Sequence, residues 1–301
     1  MRSLGLACEL QKMGSLCQII GQHGPFARRI ANSLEIQLLE SSQAIEQRAG
    51  YLKDDSRIVI DSYQMRPDRL PDHRRYVVID DFCGFNSYSV EGVINFTVDA
   101  KQYDYQALGA RAQALGTGYF LPNPLLELGN SGATLEVRRI FVLFGSGDPH
   151  QLAPLVLHAL TQVAPALEVR VVGHYPATLQ ARHSAALFEA PTPQISKHYQ
   201  WADFCITSGG LAKYECAWLG KPAAVISQTD GEHAETLQFE RHGLCFNLGR
   251  WDELSVADLA GDLAALLANR DRRRVAHDHC RRQFNPGSAR TAAEFVLDCL
   301  A

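Results

Sequence analysis

The feature that most constrains this chain is an alternation of short apolar runs, rich in β-branched residues, with longer stretches of helical spacing. That pattern belongs to parallel sheets. A parallel strand is buried on both faces, and the chain reaches the next one only through a crossover, usually a helix. Strands are expected over residues 16–20, 36–39, 57–61, 76–79 and 92–95 in the first half. In the second half they are expected over 139–144, 168–172, 186–188, 203–207, 223–227 and 245–248. The fold class is therefore α/β, with two doubly wound, Rossmann-like domains facing a cleft.

A length of 301 residues with 46% hydrophobic and 21% charged side chains is enough for two separate cores and excludes a disordered chain. Residues 116–136 carry Pro122, Pro124, Gly129 and Gly132, which disfavour both regular structures and mark a hinge. The expected domains are 1–128 and 129–301. After Leu254 the chain reads as helical, and Pro286-Gly287 interrupts it before a last amphipathic segment over 289–300.

Lys plus Arg number 29 against 33 for Asp plus Glu, a net charge of −4, so the basic excess needed to hold a nucleic-acid backbone is missing. The eight cysteines form no C-x-x-C pair and sit mostly in apolar runs, as buried thiols of a reducing compartment do. No apolar run has the roughly 18 residues of a spanning helix. Leu6-Ala7-Cys8 resembles a lipoprotein cleavage site, but the apolar stretch before it is too short for a signal peptide. A cytoplasmic location is expected.

The opening is unusual for such a fold. Leu4, Leu6, Ala7, Leu10 and Met13 have helical spacing and Gly14 would cap the helix, so the first half starts on a helix. In a doubly wound domain the first strand is central, and its turn into the first helix binds phosphate. The expectation is that this strand and turn are missing from the chain, which places roughly 15 to 20 residues upstream of Met1. The alternative is that the opening helix packs at a sheet edge.

Two turns have the composition of anion sites. Gly145-Ser146-Gly147-Asp148-Pro149 follows an apolar strand and precedes a helical segment, so free backbone N–H groups and a positive helix end would face one point. Asp148 and Pro149 fit the N-cap and first helical positions, and an ordinary capped turn is the competing reading. Ser208-Gly209-Gly210 repeats the arrangement, with Glu215 about one and a half turns into the next helix, where a carboxylate accepts from ribose hydroxyls. A solvated helix face is the alternative for Glu215. Lys213 is expected to be exposed.

In the first half, Asp61, Tyr63, Asp80 and Asp81 fall at carboxyl ends of strands, the edge that faces a cleft. Asp80 and Asp81 serve equally well as helix caps, whereas the Tyr63 phenol can donate to and accept from a substrate. His277-Asp278-His279-Cys280 has ligand-type residues without zinc spacing, so no metal is expected.

In order along the chain, Arg2-Ser-Leu-Gly-Leu-Ala7, Ile60-Asp-Ser-Tyr63, Ile79-Asp-Asp81, Phe144-Gly-Ser-Gly-Asp-Pro149, Ser208-Gly-Gly210 with Glu215, and Gly220-Lys-Pro222 form a set. This set resembles the UDP-2,4-diacetamido-2,4,6-trideoxy-β-L-altropyranose hydrolases of pseudaminic acid biosynthesis and the SpsG-like spore-coat polysaccharide proteins. The resemblance implies a glycosyltransferase-B architecture whose C-terminal domain holds UDP through Gly145, Ser146, Gly147, Asp148, Ser208, Gly209, Gly210 and Glu215. It places Tyr63 at the reacting sugar. It further implies release of UDP by water attack at the anomeric carbon, with neither cofactor nor metal.

The sequence departs from that family twice. The family's Gly-x-Gly-His loop, which carries its proposed general base, would lie before Met1. The family's Asn-Gln pair is replaced by Thr229-Asp-Gly-Glu232-His233, so His233 enters as a candidate substitute base. The expected partner is a UDP-sugar. A transferase using the same donor site is the alternative and would add peripheral membrane contact. A non-catalytic UDP-sugar binder, or part of a longer fusion with a partner upstream, is the third reading.

Overall fold

The computed structural model describes residues 1–44, 47, 52, 56–64, 69–71, 74–129, 136–145 and 148–301. The chain divides into two compact units, Met1–Pro124 with Asn285–Ala301, and Leu125–Phe284. The last segment, expected as part of the second domain, packs in the first unit instead.

The first unit opens on α1 (Arg2–Lys12), which buries Leu4, Leu6, Ala7 and Leu10, the apolar stripe that the spacing indicates. β1 (Gln18–Gly21), α2 (Pro25–Ser33) and β2 (Gln37–Glu40) follow, and β1 pairs with β2 in parallel. β3 (Ile58–Asp61), β4 (Tyr76–Ile79), β5 (Gly92–Asn95) and β6 (Ala112–Leu115) form a second sheet in sequential order, all parallel. Among the described residues no strand stands between β1 and β3. Ile58, Ile60, Tyr76, Val78, Tyr88 and Tyr105 form the core of this unit.

β6 is absent from the strands expected on sequence. Its residues, Ala-Gln-Ala-Leu, lack the β-branched and aromatic side chains that mark strands. The pairing with β5 over four residues overrides that weak local preference.

The second unit holds β7 (Arg139–Leu143), α3 (Leu152–Val163), β8 (Glu168–Val172), α4 (Ala177–Arg182), β9 (Ala186–Glu189) and α5 (Ile195–Trp201). It continues through β10 (Phe204–Ser208), α6 (Leu211–Trp218), β11 (Ala223–Ser227), α7 (Asp230–Arg241), β12 (Cys245–Arg250), α8 (Val256–Ala268) and α9 (Arg270–Gln283). α10 (Ser288–Cys299) then returns to the first unit, where it packs on α1 and β5. All six strands are parallel, in the order β12-β11-β10-β7-β8-β9. Numbered within the unit and read from the β9 edge, that order is 3-2-1-4-5-6, the doubly wound arrangement. Every residue of β10 and β11 is buried, which is why these strands read as unbroken apolar runs.

Side-chain caps set several helix starts in this unit. Thr229 accepts from the Glu232 N–H, Ser255 from Asp258 and Asn269 from Arg272. α3 and α8 pack against one another in the core through Val156, Leu160, Leu259 and Leu263. Leu263 is fully buried. Truncation by Leu263→Ala is expected to cost about 2 to 5 kcal/mol in urea-induced unfolding followed by circular dichroism.

Candidate functional site

In the second unit the strand order reverses at β7: β8 and β9 follow on one side of it, and β10, β11 and β12 on the other. With right-handed crossovers the helices that follow β7 and β10 lie on opposite faces, and the carboxyl ends of two such strands are where α/β sheets take their ligands. β7 and β10 are hydrogen-bonded neighbours with Leu143 opposite Thr207, and Thr207 Oγ1 donates to the Leu143 carbonyl at 2.7 Å. The two small-residue turns read from the sequence therefore start side by side, about 4.8 Å apart at the strand ends.

The turn after β7 differs in detail from expectation. Gly145 is exposed with φ of +69°, a left-handed conformation that only glycine adopts without strain. Ser146 and Gly147 lie outside the described residues. Asp148 is not the N-cap of α3: Gln151 occupies that position with φ of 53°, and the helix begins at Leu152. Asp148 instead reaches across the intervening loop, and its carboxylate accepts from the N–H groups of Leu152 at 2.7 Å and Ala153 at 2.8 Å. Tyr175 adds a third donor at 3.3 Å. The first two amides of α3 are thereby occupied from within the protein.

The turn after β10 is described throughout. Ser208 ends the strand, and Gly210 is the N-cap of α6 with no side chain capping the helix. Gly209 is held by packing, because a methyl group there would come within 2.8 Å of Glu232 Cβ and 2.9 Å of Thr236 Oγ1. Glu232 also accepts from the Gln228 N–H at 2.8 Å, so with Thr229 it forms the capping pair of α7. The acid that stands where the resembling family has an amide is a helix cap. His233 follows it in the first turn of α7, half-exposed, and its Nδ1 has no hydrogen-bond partner among the described residues.

Lys213, expected on the surface, is fully buried. Its Nζ donates to the Gly209 carbonyl and, at 2.6 Å, to Glu235 Oε2, and it lies 5.1 and 5.2 Å from the Tyr214 and Phe239 ring centres. The ammonium thus ties the glycine turn to α7 from beneath. Glu215 is likewise buried, with Oε2 accepting from the Tyr199 hydroxyl at 3.0 Å. A solvated helix face is excluded for it. Burial, reinforced by Glu215, pushes the Tyr199 phenol well above its ordinary range, so Tyr199 remains a donor to that carboxylate.

In the first unit, the carboxyl ends of β3 and β4 carry a charge network centred on Arg2. Arg2 donates to Asp61 Oδ1 through Nε at 2.9 Å and Nη2 at 2.6 Å, and through Nη1 to Asp81. Burial works against its charge, yet the hydrogen bonds and charges of Asp61 and the charge of Asp81 hold its pKa above the usual arginine value. Ser3 donates to Asp61 Oδ2 at 2.5 Å and Tyr63 to Asp81 Oδ2 at 2.7 Å. The Tyr63 ring is exposed beside Phe82, with ring centres 5.4 Å apart. Burial and the neighbouring Asp81 raise the Tyr63 pKa, which keeps the phenol protonated at neutral pH. Asp80 serves structure: it accepts from the Phe82 N–H at 3.0 Å and from the Tyr88 hydroxyl.

The ligand-type run near the end does not converge. His277 Nδ1 pairs with the Gly220 carbonyl at 2.6 Å, His279 Nδ1 with that of His242 at 3.2 Å, and the buried Cys280 thiol with that of Leu244. No cluster of three metal-ligating side chains occurs among the described residues. No helix among them is long and apolar enough to cross a membrane.

Comparison with solved structures fits this geometry over the whole chain. MurG of Acinetobacter baumannii superposes with a TM-score of 0.69 at 13% identity, covering 99% of this chain and 95% of MurG. The chain has the glycosyltransferase-B fold. HepE of Anabaena, solved in complex with UDP and glucose, gives a TM-score of 0.61 at 12% identity over 99% of this chain and 95% of its own. A glycosyltransferase from Rickettsia africae gives 0.62 at 11% identity over 99% of this chain and 94% of its own. Among curated proteins, the spore coat polysaccharide biosynthesis protein SpsG of Bacillus subtilis is 28% identical over 146 residues, which span 44% of this chain and 43% of SpsG. No protein-family model matches the chain.

Two stability measurements test the buried charges. Arg2→Met leaves Asp61 and Asp81 without their shared cation and is expected to cost about 3 kcal/mol in urea unfolding. For the second, a double-mutant cycle between Lys213→Met and Glu235→Leu is expected to show coupling of about 1 to 3 kcal/mol.

Proposed function

We propose that the chain binds a UDP-sugar and releases UDP from a UDP-linked amino-deoxy sugar, as a hydrolase serving nonulosonic acid or surface polysaccharide biosynthesis in the cytoplasm. The observation that carries this reading is the pair of glycine turns at the strand-order reversal of the second unit, with the buried Glu215 carboxylate one helix turn further on. A diphosphate on backbone N–H groups and a ribose on that carboxylate are the ligands such an edge recognises. UDP is supported by the resemblance in ordered motifs, by the HepE complex with UDP and glucose, and by the polysaccharide role in the SpsG name.

In the proposed reaction, water attacks the anomeric carbon while the bond from that carbon to the β-phosphate oxygen breaks. UDP leaves with the electron pair and the proton of the water passes to a base. Negative charge grows on the β-phosphate, and the uncapped N–H groups at Gly210 and the start of α6 stabilise it more in the transition state than in the substrate. Gly145, Ser146 and Gly147 would hold the adjoining phosphate. Asp148 would act on this site by keeping α3 in place. Tyr63 would orient the sugar through its phenol, and His233, with a free ring nitrogen, is the candidate base.

Transfer to a sugar or lipid acceptor is the second reading, favoured by the glycosyltransferases among the similar structures. It differs in outcome: UDP release would be slow in water alone and would accelerate when acceptor is added.

The test is UDP release from a panel of UDP-amino-sugars, coupled to isothermal titration with UDP. The hydrolase reading expects turnover without acceptor, and Glu215→Ala is expected to weaken UDP binding about tenfold or more, the worth of a charged hydrogen bond. His233→Asn is expected to lower kcat about 10²-fold or more with UDP affinity unchanged. UDP binding without turnover of any donor, with or without acceptor, would leave a binding protein, and no UDP binding would refute hydrolase, transferase and binding protein alike.

A further inference from the structure

Lys213 stands third in α6, in the first turn of the helix, and is fully buried. A cation is disfavoured there, because the amino-terminal end of a helix already carries positive partial charge. Burial adds the cost of desolvating an ammonium, and an ion pair such as the one with Glu235 often fails to repay it. An apolar side chain of similar length would pack equally well beside the Tyr214 and Phe239 rings. Stability alone does not account for a lysine at this position.

Its contacts indicate another role. Nζ donates to the Gly209 carbonyl. That carbonyl shares a trans peptide unit with the N–H of Gly210, and in such a unit the two groups point in opposite directions. Gly209 is buried with its carbonyl held on the ammonium, so the Gly210 N–H is turned the other way, at the half-buried N-cap of α6. Among the described residues no backbone carbonyl accepts from this N–H.

A cation bonded to the carbonyl polarises the peptide unit and makes its N–H a stronger donor, as happens along hydrogen-bonded chains inside proteins. The turn has a use for that charge. Glu232 Oε1 lies 3.4 Å from the place a methyl group on Gly210 would take, so an anion arriving at this N–H meets a carboxylate. The buried ammonium offsets that repulsion from the other end of the peptide unit. Glu235 in turn tempers the ammonium, and its second oxygen accepts from the Tyr214 hydroxyl at 2.5 Å.

We propose that Lys213 is a positioning residue for the anion site of the second unit, acting through the Gly209–Gly210 peptide unit to strengthen the hold of the Gly210 N–H on a phosphate without touching the ligand. The proposal rests on the nucleotide reading of this unit and adds to it a source of positive charge that lies in the core.

The test measures affinity for UDP, and for uridine, which lacks the phosphates, in the 301-residue chain and in two variants. Lys213→Met removes the cation and is expected to weaken UDP binding about tenfold or more with uridine binding unchanged. Glu235→Gln removes the counter-charge and keeps the contacts, since an amide can accept from Lys213 and bond to the Tyr214 hydroxyl. It leaves the turn more positive and is expected to tighten UDP binding about threefold or more, again with uridine unchanged. A lysine that only holds the turn in shape gives no gain in affinity when its ion pair is lost, so the sign of this change separates the two roles, even where Lys213→Met fails to fold. UDP binding that is unchanged or weaker in Glu235→Gln overturns the proposal, as does an equal effect on UDP and uridine. Absence of UDP binding by the unaltered chain refutes the nucleotide reading itself, and this proposal with it.

Discussion

The hydrogen-bonded pairing of β7 with β10 is the constraint on which the rest depends. It joins the first and fourth strands of the second unit, so the chain must reverse its winding there, and the helices that follow these strands fall on opposite sides of the sheet. Two turns that are 63 residues apart, counted from Gly145 to Ser208, are brought to neighbouring strand ends by that single ladder. In the proposed function an anion is held by backbone N–H groups at these strand ends, and the side chains around Gly209 hold its turn in place.

Those supporting side chains have a common logic. Lys213 is buried under the Gly209 carbonyl with Glu235 as counter-ion, Glu215 is buried with Tyr199 as donor, and Glu232 packs on Gly209 while capping α7. Each charged group is satisfied inside the protein, which fixes the geometry of the turn before any ligand arrives. In the first unit, Arg2 does the same for Asp61 and Asp81, and through Asp81 for Tyr63.

The strands are legible in the sequence because parallel strands buried on both faces leave continuous apolar runs, as β10 and β11 do. β6 is not, because Ala-Gln-Ala-Leu carries no local strand preference and owes its form to β5. The glycine turns can be read because glycine is restricted to few backbone roles. The roles of Arg2 and Lys213 cannot: a charged residue within a helical run reads as surface until its partner is known, and the Arg2 partners lie 59 and 79 residues away. Asp148 shows the same limit at short range. Its spacing suits an N-cap, and a loop of three residues moves it to a position that serves the same amides from outside the helix.

The most direct measurement is the map of backbone amide shifts in the NMR spectrum of the protein titrated with UDP. The account expects the largest, saturable changes at Gly145 and at Ser208 to Leu211, with smaller ones along the start of α6. Saturable changes centred on the amino-terminal edge of the same sheet, or none in either turn while UDP binds elsewhere, would contradict it.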